Sequence, residues 1–270
     1  MNSITVSKKT LAQLAGAAVI VFATAGCHKT EIARTTTAEQ LAPAAWPTLV
    51  NRTAPPGAGS KYKPTPISVT KVPPGGVSAE DLEFVTTHKP IARQTGLATW
   101  YASPYKGRKA ANGQIFDDEA MTAAHRTLPM GSLIKVTNLK THQSAVMRIT
   151  DRGPFVEGRV LDLTMEAAKA TGIYRSGSAQ VRIDVYATPK PISIGGRWCV
   201  QIGAFASESE ALRMKVRLQQ EYRDAQVIEF PGETRYWVRI RPRDDDKGIA
   251  EYIANRLHPS EGEAFLTRLD

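Results

Sequence analysis

Thr122-Ala-Ala-His-Arg-Thr-Leu-Pro129, Lys135-Val-Thr-Asn-Leu139, Arg148-Ile-Thr-Asp-Arg-Gly-Pro-Phe155 and Arg159-Val-Leu-Asp-Leu-Thr164 carry the reading of the whole chain. A short approach, Ala110-Ala-Asn-Gly-Gln-Ile-Phe-Asp117, precedes them. Residues able to do chemistry, Asp117, His125, Asp151 and Asp162, recur here at the edges of short apolar runs. A small β-barrel presents polar side chains at such places.

The flanking residues extend that reading to 91–188. Gly96 to Ala102 reads as a strand, and Asn112-Gly113 is a strong turn signal. Ser132 to Asn138 and Ser144 to Thr150 alternate apolar and polar residues, the second with Val146, Arg148 and Thr150 on one face. Val160 to Leu163 is a further short strand, and Gln180 to Ala187 alternates with Val181, Ile183 and Val185 on one side. Between them Met165 to Thr171 is helical, capped by Thr164 and ended by Gly172. Many short strands with one short helix predict a mostly-β barrel.

Outward from the barrel the composition changes. Residues 1–27 read as an export signal: Lys8 and Lys9 precede an apolar run, Leu11 to Phe22, shorter than the roughly 20 residues a membrane-spanning helix needs. From 28 to 90 no period is sustained, and repeated prolines predict a tether, with at most a short turn of structure at Ser78 to Val85. Residues 189–196, rich in Pro and Gly, form a hinge. Residues 197–270 then read β-α-β-β-α-β, a ferredoxin-like layout. In its first helix Ser207 is the cap, and Leu212, Val216 and Leu218 are expected on or near the buried side. In the second, Ile249, Tyr252, Ile253 and Leu257 recur at helical spacing. The pair of strands between them turns at Pro231-Gly232-Glu233, and Ala264 to Leu269 closes the sheet.

Of the 270 residues, 42% are hydrophobic and 23% charged, enough apolar content for folded cores. The formal charge of +9 is uneven: Lys+Arg against Asp+Glu is 9 to 5 over 1–90, 13 to 8 over 91–188, 1 to 0 over 189–196 and 12 to 13 over 197–270. A basic tether and barrel suit an anionic polymer or surface. The near-neutral C-terminal segment lacks the basic footprint of a nucleic-acid binder, and export argues the same way. The five histidines show no ligand spacing, so no metal or other cofactor is expected. Two cysteines are too few for a disulfide framework, and Cys199, between Trp198 and Val200, is expected as a buried small hydrophobe.

Several of these stretches resemble known families. Ala-Thr-Ala-Gly before Cys27 resembles a bacterial lipobox, with Thr24 where an aliphatic residue is usual. That implies lipidation of Cys27, against the alternative of an ordinary cleaved signal. His28, not being aspartate, favours an outer-membrane anchor facing the periplasm. The ordered set Ala98-Thr-Trp-Tyr101, Ala111-Asn-Gly113, Thr122-Ala-Ala-His125, Leu128-Pro129, Val136-Thr-Asn-Leu139, Asp151-Arg-Gly-Pro-Phe155 and Leu161-Asp-Leu-Thr164 resembles the rare lipoprotein A family. The resemblance implies a six-stranded double-psi β-barrel. Val200-Gln-Ile-Gly-Ala-Phe205, followed by Glu-Ala-Leu, resembles the sporulation-related repeat (SPOR) domain, which binds glycan strands stripped of their stem peptides.

Together these resemblances imply an endolytic lytic transglycosylase of peptidoglycan, a lyase acting at the division septum with denuded glycan strands and divisome proteins as partners. The 6-hydroxyl of N-acetylmuramic acid attacks its own C1 once the glycosidic oxygen is protonated, so one carboxyl can suffice. The family's Asn-Gly-Glu-x-Phe-Asp segment reads Asn112-Gly113-Gln114-Ile115-Phe116-Asp117 here. Its Asp is kept, and its catalytic Glu is replaced by Gln114, which cannot move a proton. Either Asp117 is the working acid, its pKa raised by burial and by Asp118 or Glu119, or the barrel binds glycan without cutting, as a septal binder or an expansin-like wall loosener. His125 is the candidate to orient Asp117, and Trp100 and Tyr101 to stack on sugars. Asp151 either caps the turn at Arg152-Gly153-Pro154 or serves at the site, as an aspartate near here does in the related expansins, and Asp162 either completes an acidic cleft or accepts backbone amides. Arg148 and Arg152 are candidates to pair with carboxylates of the protein or substrate. In the C-terminal sheet Gln201, Tyr236, Trp237 and Arg239 are candidates for a glycan groove, half of which strand alternation must turn inward.

Overall fold

Alternation decides which side of each strand is buried, and in the first unit the buried sides meet around a closed barrel. The computed structural model describes residues 72–101, 105–231 and 235–270. The expected export signal, the lipidation candidate Cys27, the tether up to residue 71 and the turn at Gly232-Glu233 lie outside the described residues. Strands β1 (Ala92–Trp100), β2 (Thr122–Ala124), β3 (Leu133–Asn138), β4 (Ser144–Asp151), β5 (Arg159–Leu163) and β6 (Ser178–Ala187) close in the order β1-β5-β2-β4-β3-β6. The pairs β1–β5 and β2–β4 are parallel and the others antiparallel. Inside lie Ile134, Val136, Met147, Ile149, Leu161, Leu163, Val181 and Ile183, all fully buried. This is the six-stranded double-psi barrel expected. Helix α2 (Met165–Ala170) closes one end, its Thr164 cap also donating to the Ala120 carbonyl at 2.6 Å.

The expected tether does not run to residue 90. Ser78 caps helix α1 (Ala79–Thr87) in a capping box with Asp81, and the helix lies on the barrel. Phe84 and Val85 pack against Leu133, Tyr186 and Ala187. The Asp81 carboxylate is buried with Arg148, which donates Nε at 3.0 Å and Nη2 to it, and Nη1 to the Gly131 carbonyl at 2.7 Å. A buried charged pair thus joins this apolar contact in fixing the segment to the barrel. The same pair removes Arg148 from any role in a substrate site.

The second unit is built from β7 (Trp198–Phe205), α3 (Glu208–Glu221), β8 (Gln226–Pro231), β9 (Tyr236–Arg241), α4 (Lys247–Arg256) and β10 (Glu263–Arg268). Its sheet order, β10-β7-β9-β8, is that of a ferredoxin-like fold. Val200, Ile202, Val238 and Ile240 form the sheet face under the helices, against Ala211, Met214, Leu218, Ala250 and Ile253. Leu212 and Val216, expected near the buried side of α3, are instead 40% and 51% exposed. The stripe runs through Ala211, Met214 and Leu218, at i, i+3 and i+7. Tyr236 shares the parity of Val238 and packs on the helix side, so it does not join Gln201, Trp237 and Arg239.

The opposite face of that sheet, bearing Gln201, Trp237 and Phe265, meets the barrel. Phe155 approaches Trp237 and Phe265 with ring centroids 5.5 and 5.9 Å apart. The Arg126 guanidinium lies 5.2 Å from the Phe265 ring centroid, and the Arg268 amide donates to the Arg126 carbonyl at 2.9 Å. The 189–196 segment is strapped down: Arg268 Nη1 donates to the Pro191 carbonyl at 2.8 Å, and Lys190 pairs with Asp270 at 2.5 Å.

Candidate active site

The shortest strand sets the site. In β2, Ala124 is the register partner of Asp151 on β4 and of Asp162 on β5. Both carboxylates therefore stand at one level of the barrel, their Cα atoms two strand spacings or about 10 Å apart, with only an alanine methyl between. Asp162 is also opposite Thr99 on β1, whose hydroxyl donates to it at 2.5 Å, and Arg159 pairs with the same carboxylate oxygen. Asp151 ends β4, and its Oδ1 accepts the Arg152 amide at 2.8 Å and the Ala111 amide at 3.0 Å. These carboxyls line a cleft of about 640 Å³ with Trp100, Tyr101, Phe155 and Arg159, and with Gln201 and Trp237 from the second unit.

The electrostatics separate the two acids. Burial raises the Asp151 pKa above the usual carboxylate range, the two amide bonds and Arg152 pull against that, and the charge of Asp162 adds to it. Asp162 is ion-paired to a guanidinium, and among the described residues Asp151 makes no such ion pair. Tyr101 senses both: burial, then the charges of Asp151 and Asp162, push its pKa well above 10. Its ring stacks on Phe116 with centroids 4.9 Å apart, and its buried hydroxyl has no hydrogen-bond partner among the described residues. A carboxyl of raised pKa, an ion-paired carboxylate and an aromatic wall thus share one cleft. Among the described residues, no group of three or more His, Cys, Asp or Glu could hold a metal ion.

Residues 93–183 match the family model described as "Lytic transglycolase", and residues 195–268 the one described as "SPOR domain". The chain is similar to the endolytic peptidoglycan transglycosylase RlpA of Pasteurella multocida (strain Pm70), 40% identical over 183 residues covering 64% of this chain and 62% of that protein. It is also similar to the probable endolytic peptidoglycan transglycosylase RlpA of Synechocystis, 54% identical over 90 residues covering 33% of this chain and 28% of that protein. In both domains and their order the chain is similar to the rare lipoprotein A family. It spans between 28% and 62% of the length of these two relatives. Among solved structures it is similar to the apo expansin of Clavibacter michiganensis, 16% identical with a TM-score of 0.29, covering 54% of this chain and 78% of that one.

The residues expected at the site divide into groups. Trp100, Tyr101, Asp151, Arg152, Asp162, Gln201 and Trp237 line the one cleft. Gln114 and Asp117 line a separate, smaller cavity of about 170 Å³ with Val72 and Thr150. Asp117 is exposed there, its Oδ1 accepting the Glu119 amide at 3.0 Å, so the expected burial is not found. Its neighbour Asp118 is tied to Lys106 at 2.7 Å, which holds that carboxyl below its ordinary range. Gln114 Nε2 donates to the Val72 carbonyl at 2.9 Å and its Oε1 accepts from Asn112 at 2.5 Å, closing the 110–116 turn.

His125 does not orient Asp117. Its Nδ1 accepts the amides of Thr127 and Leu128 at 3.1 and 3.0 Å, so the proton sits on Nε2, which donates to Gln94 Oε1 at 3.0 Å. Burial, then Arg152 and Arg126, lower its pKa to about 3. What the ring does is shape the 125–128 turn, whose His125 and Leu128 carbonyls accept Arg152 Nη1 at 3.0 and 2.7 Å. Arg152 is thereby spent on main-chain oxygens, including that of Asp270 at 2.8 Å, and pairs with no site carboxylate. Gln201 accepts from Arg239 at 2.8 Å. Thr99 and Arg159 lie within motifs that do not mark either as a partner of Asp162: strand register brings Thr99 to it, and Arg159 reaches it from three residues back along β5.

Proposed function

We propose that this chain is an endolytic lytic transglycosylase of peptidoglycan, with Asp151 as its general acid. The observation that carries the proposal is a half-buried carboxyl, its pKa raised by burial, that shares a cleft walled by aromatic rings with an ion-paired carboxylate. The family relatives bear the names of endolytic peptidoglycan transglycosylases, which supports the same class.

In this mechanism Asp151 gives its proton to the glycosidic oxygen between N-acetylmuramic acid and N-acetylglucosamine, and the C1–O bond breaks. The departing N-acetylglucosamine leaves with a free 4-hydroxyl. Asp162, held by Arg159 and Thr99, supplies negative charge against the positive charge growing at C1. The 6-hydroxyl of the same muramyl residue then closes on C1, and its proton returns to Asp151. A 1,6-anhydro end results, no water is consumed, and the acid is restored. Gln114 has no part in these steps, so its lack of a titratable group leaves them intact. The finer reading is that the SPOR domain favours stem-peptide-poor strands at the septum, and that lipidated Cys27 anchors the chain to the outer membrane.

The test is digestion of sacculi and of amidase-denuded strands by the full chain, with products read by mass spectrometry. Wild type is expected to yield 1,6-anhydro ends, Asp151→Asn to yield none, and Asp117→Asn to keep cutting. Cutting that survives Asp151→Asn and dies with Asp117→Asn overturns the assignment of the acid. Cutting by Gln114→Glu alone makes the natural chain a glycan binder.

A further inference from the structure

We propose that the SPOR sheet forms one wall of the acid-bearing cleft, with Trp237 as a stacking platform, so that both domains hold a single glycan strand at once. This rests on the glycan reading above and adds where the strand is held.

Three observations carry it. First, the barrel residues Tyr101, Asp151 and Asp162 and the sheet residues Gln201 and Trp237 line one continuous cleft, whose volume of about 640 Å³ suits a ligand site. Second, the wall is fixed in place. The Asp270 main-chain oxygen accepts Arg152 Nη2 at 2.8 Å and the Met130 amide at 3.4 Å, and Phe155 reaches both Trp237 and Phe265. The segment 151–155 therefore carries the acid at one end and the docking ring at the other. Third, Trp237 is set before any ligand arrives. It lies so close over Gly203 that a Cβ there would meet its Cε3 at 2.9 Å, and Phe155 bounds it at 5.5 Å with the rings tilted by 59°. An indole braced on two sides loses little freedom when a ligand stacks on it.

The chemistry of the cleft selects a carbohydrate. Trp237 and Trp100 offer flat apolar faces for the C–H face of a pyranose ring, while Gln201, Arg159 and Asp162 offer hydrogen bonds to its hydroxyl edge. Arg159, half-buried at the cleft wall, adds a cationic group that suits the lactyl carboxylate of a muramyl residue.

The experiment titrates the full chain, carrying Asp151→Asn so that ligand is not consumed, with stem-peptide-free glycan oligosaccharides of graded length. One class of site is expected. Trp237→Ala weakens its Kd by about tenfold or more, as for an aromatic anchor, Trp237→Phe keeps most of the affinity, and Tyr101→Phe weakens the same constant. The Trp237→Ala loss should vanish with a disaccharide, too short to reach both walls. Two independent classes of site, of which Trp237→Ala affects one and Tyr101→Phe the other, overturn the proposal. So does an unchanged Kd in a Trp237→Ala chain whose circular dichroism matches that of wild type. Absence of cutting by the Asp151-containing chain, with the bridged titration intact, strikes the transglycosylase reading alone.

Discussion

A carboxyl drawn partly out of water holds its proton to higher pH than a free one, and the fold bears the consequence at Asp151. Its raised folded pKa, caused first by burial, means that its contribution to stability is present at low pH and is lost as pH rises through that value. We expect Asp151→Asn to melt no lower than wild type at pH 8, because the amide oxygen still accepts the Arg152 and Ala111 amides without a desolvated charge. The same change should cut turnover at least about a hundredfold, as for a lost general acid, and calorimetry beside product analysis checks both. His125 has the opposite sign. Its folded pKa of about 3 lies below the ordinary value, so the unfolded chain binds the extra proton between about pH 6.5 and 3. Stability should fall with acidification across that window by up to about 1.4 kcal/mol per pH unit, and urea melts of wild type and His125→Gln at pH 7 and 5 should show the slope reduced in the variant. Both residues were visible in the sequence as polar groups in fixed motifs. What the motifs could not reveal is which carbonyls and amides would occupy the histidine ring, because Gln94 lies 31 residues away.

Elements were legible where a period repeats long enough to be heard. Strands at β3, β4 and β6 and the helical spacing in α4 are seen as expected, but much of each strand is buried on both faces, so burial does not alternate along them. The three residues of β2 are too few to alternate, and α1 hides its burial in a carboxylate. In α3 only Ala211, Met214 and Leu218 are buried, so larger residues beside that stripe misled the choice of face. The Asp81–Arg148 pair makes α1 part of the barrel. Asp81→Ala should cost about 3–5 kcal/mol, the penalty for leaving a buried charge unpaired, measured by urea unfolding. A joint change of Asp81→Leu with Arg148→Met should recover most of it. A chain begun at residue 91 should likewise unfold at lower urea than one begun at residue 72.

Across the whole molecule, two folds legible separately are joined by contacts that no local pattern announces. Arg152 and Asp270 are 118 residues apart. Asp270 would have its pKa raised by burial alone, yet Lys190, the Arg197 amide and Arg268 hold its carboxyl well below the ordinary range. A depressed carboxylate contributes stability above its unfolded pKa and loses it as pH falls, so the strap is fully engaged at neutral pH. Phe155 is the apolar half of the joint, and Phe155→Ala should weaken docking by roughly 1–3 kcal/mol. Small-angle scattering should then show a larger radius of gyration, and the single melting transition should separate into two.

Recombination meets a limit at this joint. Glycan-binding modules are commonly pictured as cassettes, exchangeable between enzymes so long as the linker has sufficient reach. Here the peptide that bears Asp151 also grips the module's last strand and its neighbour. A foreign cassette grafted after residue 196 would find its polymer and still leave the acid's loop without its mate. Chimeras of this kind should localise well and cut poorly until Trp237, Phe265 and Asp270 are transplanted with them.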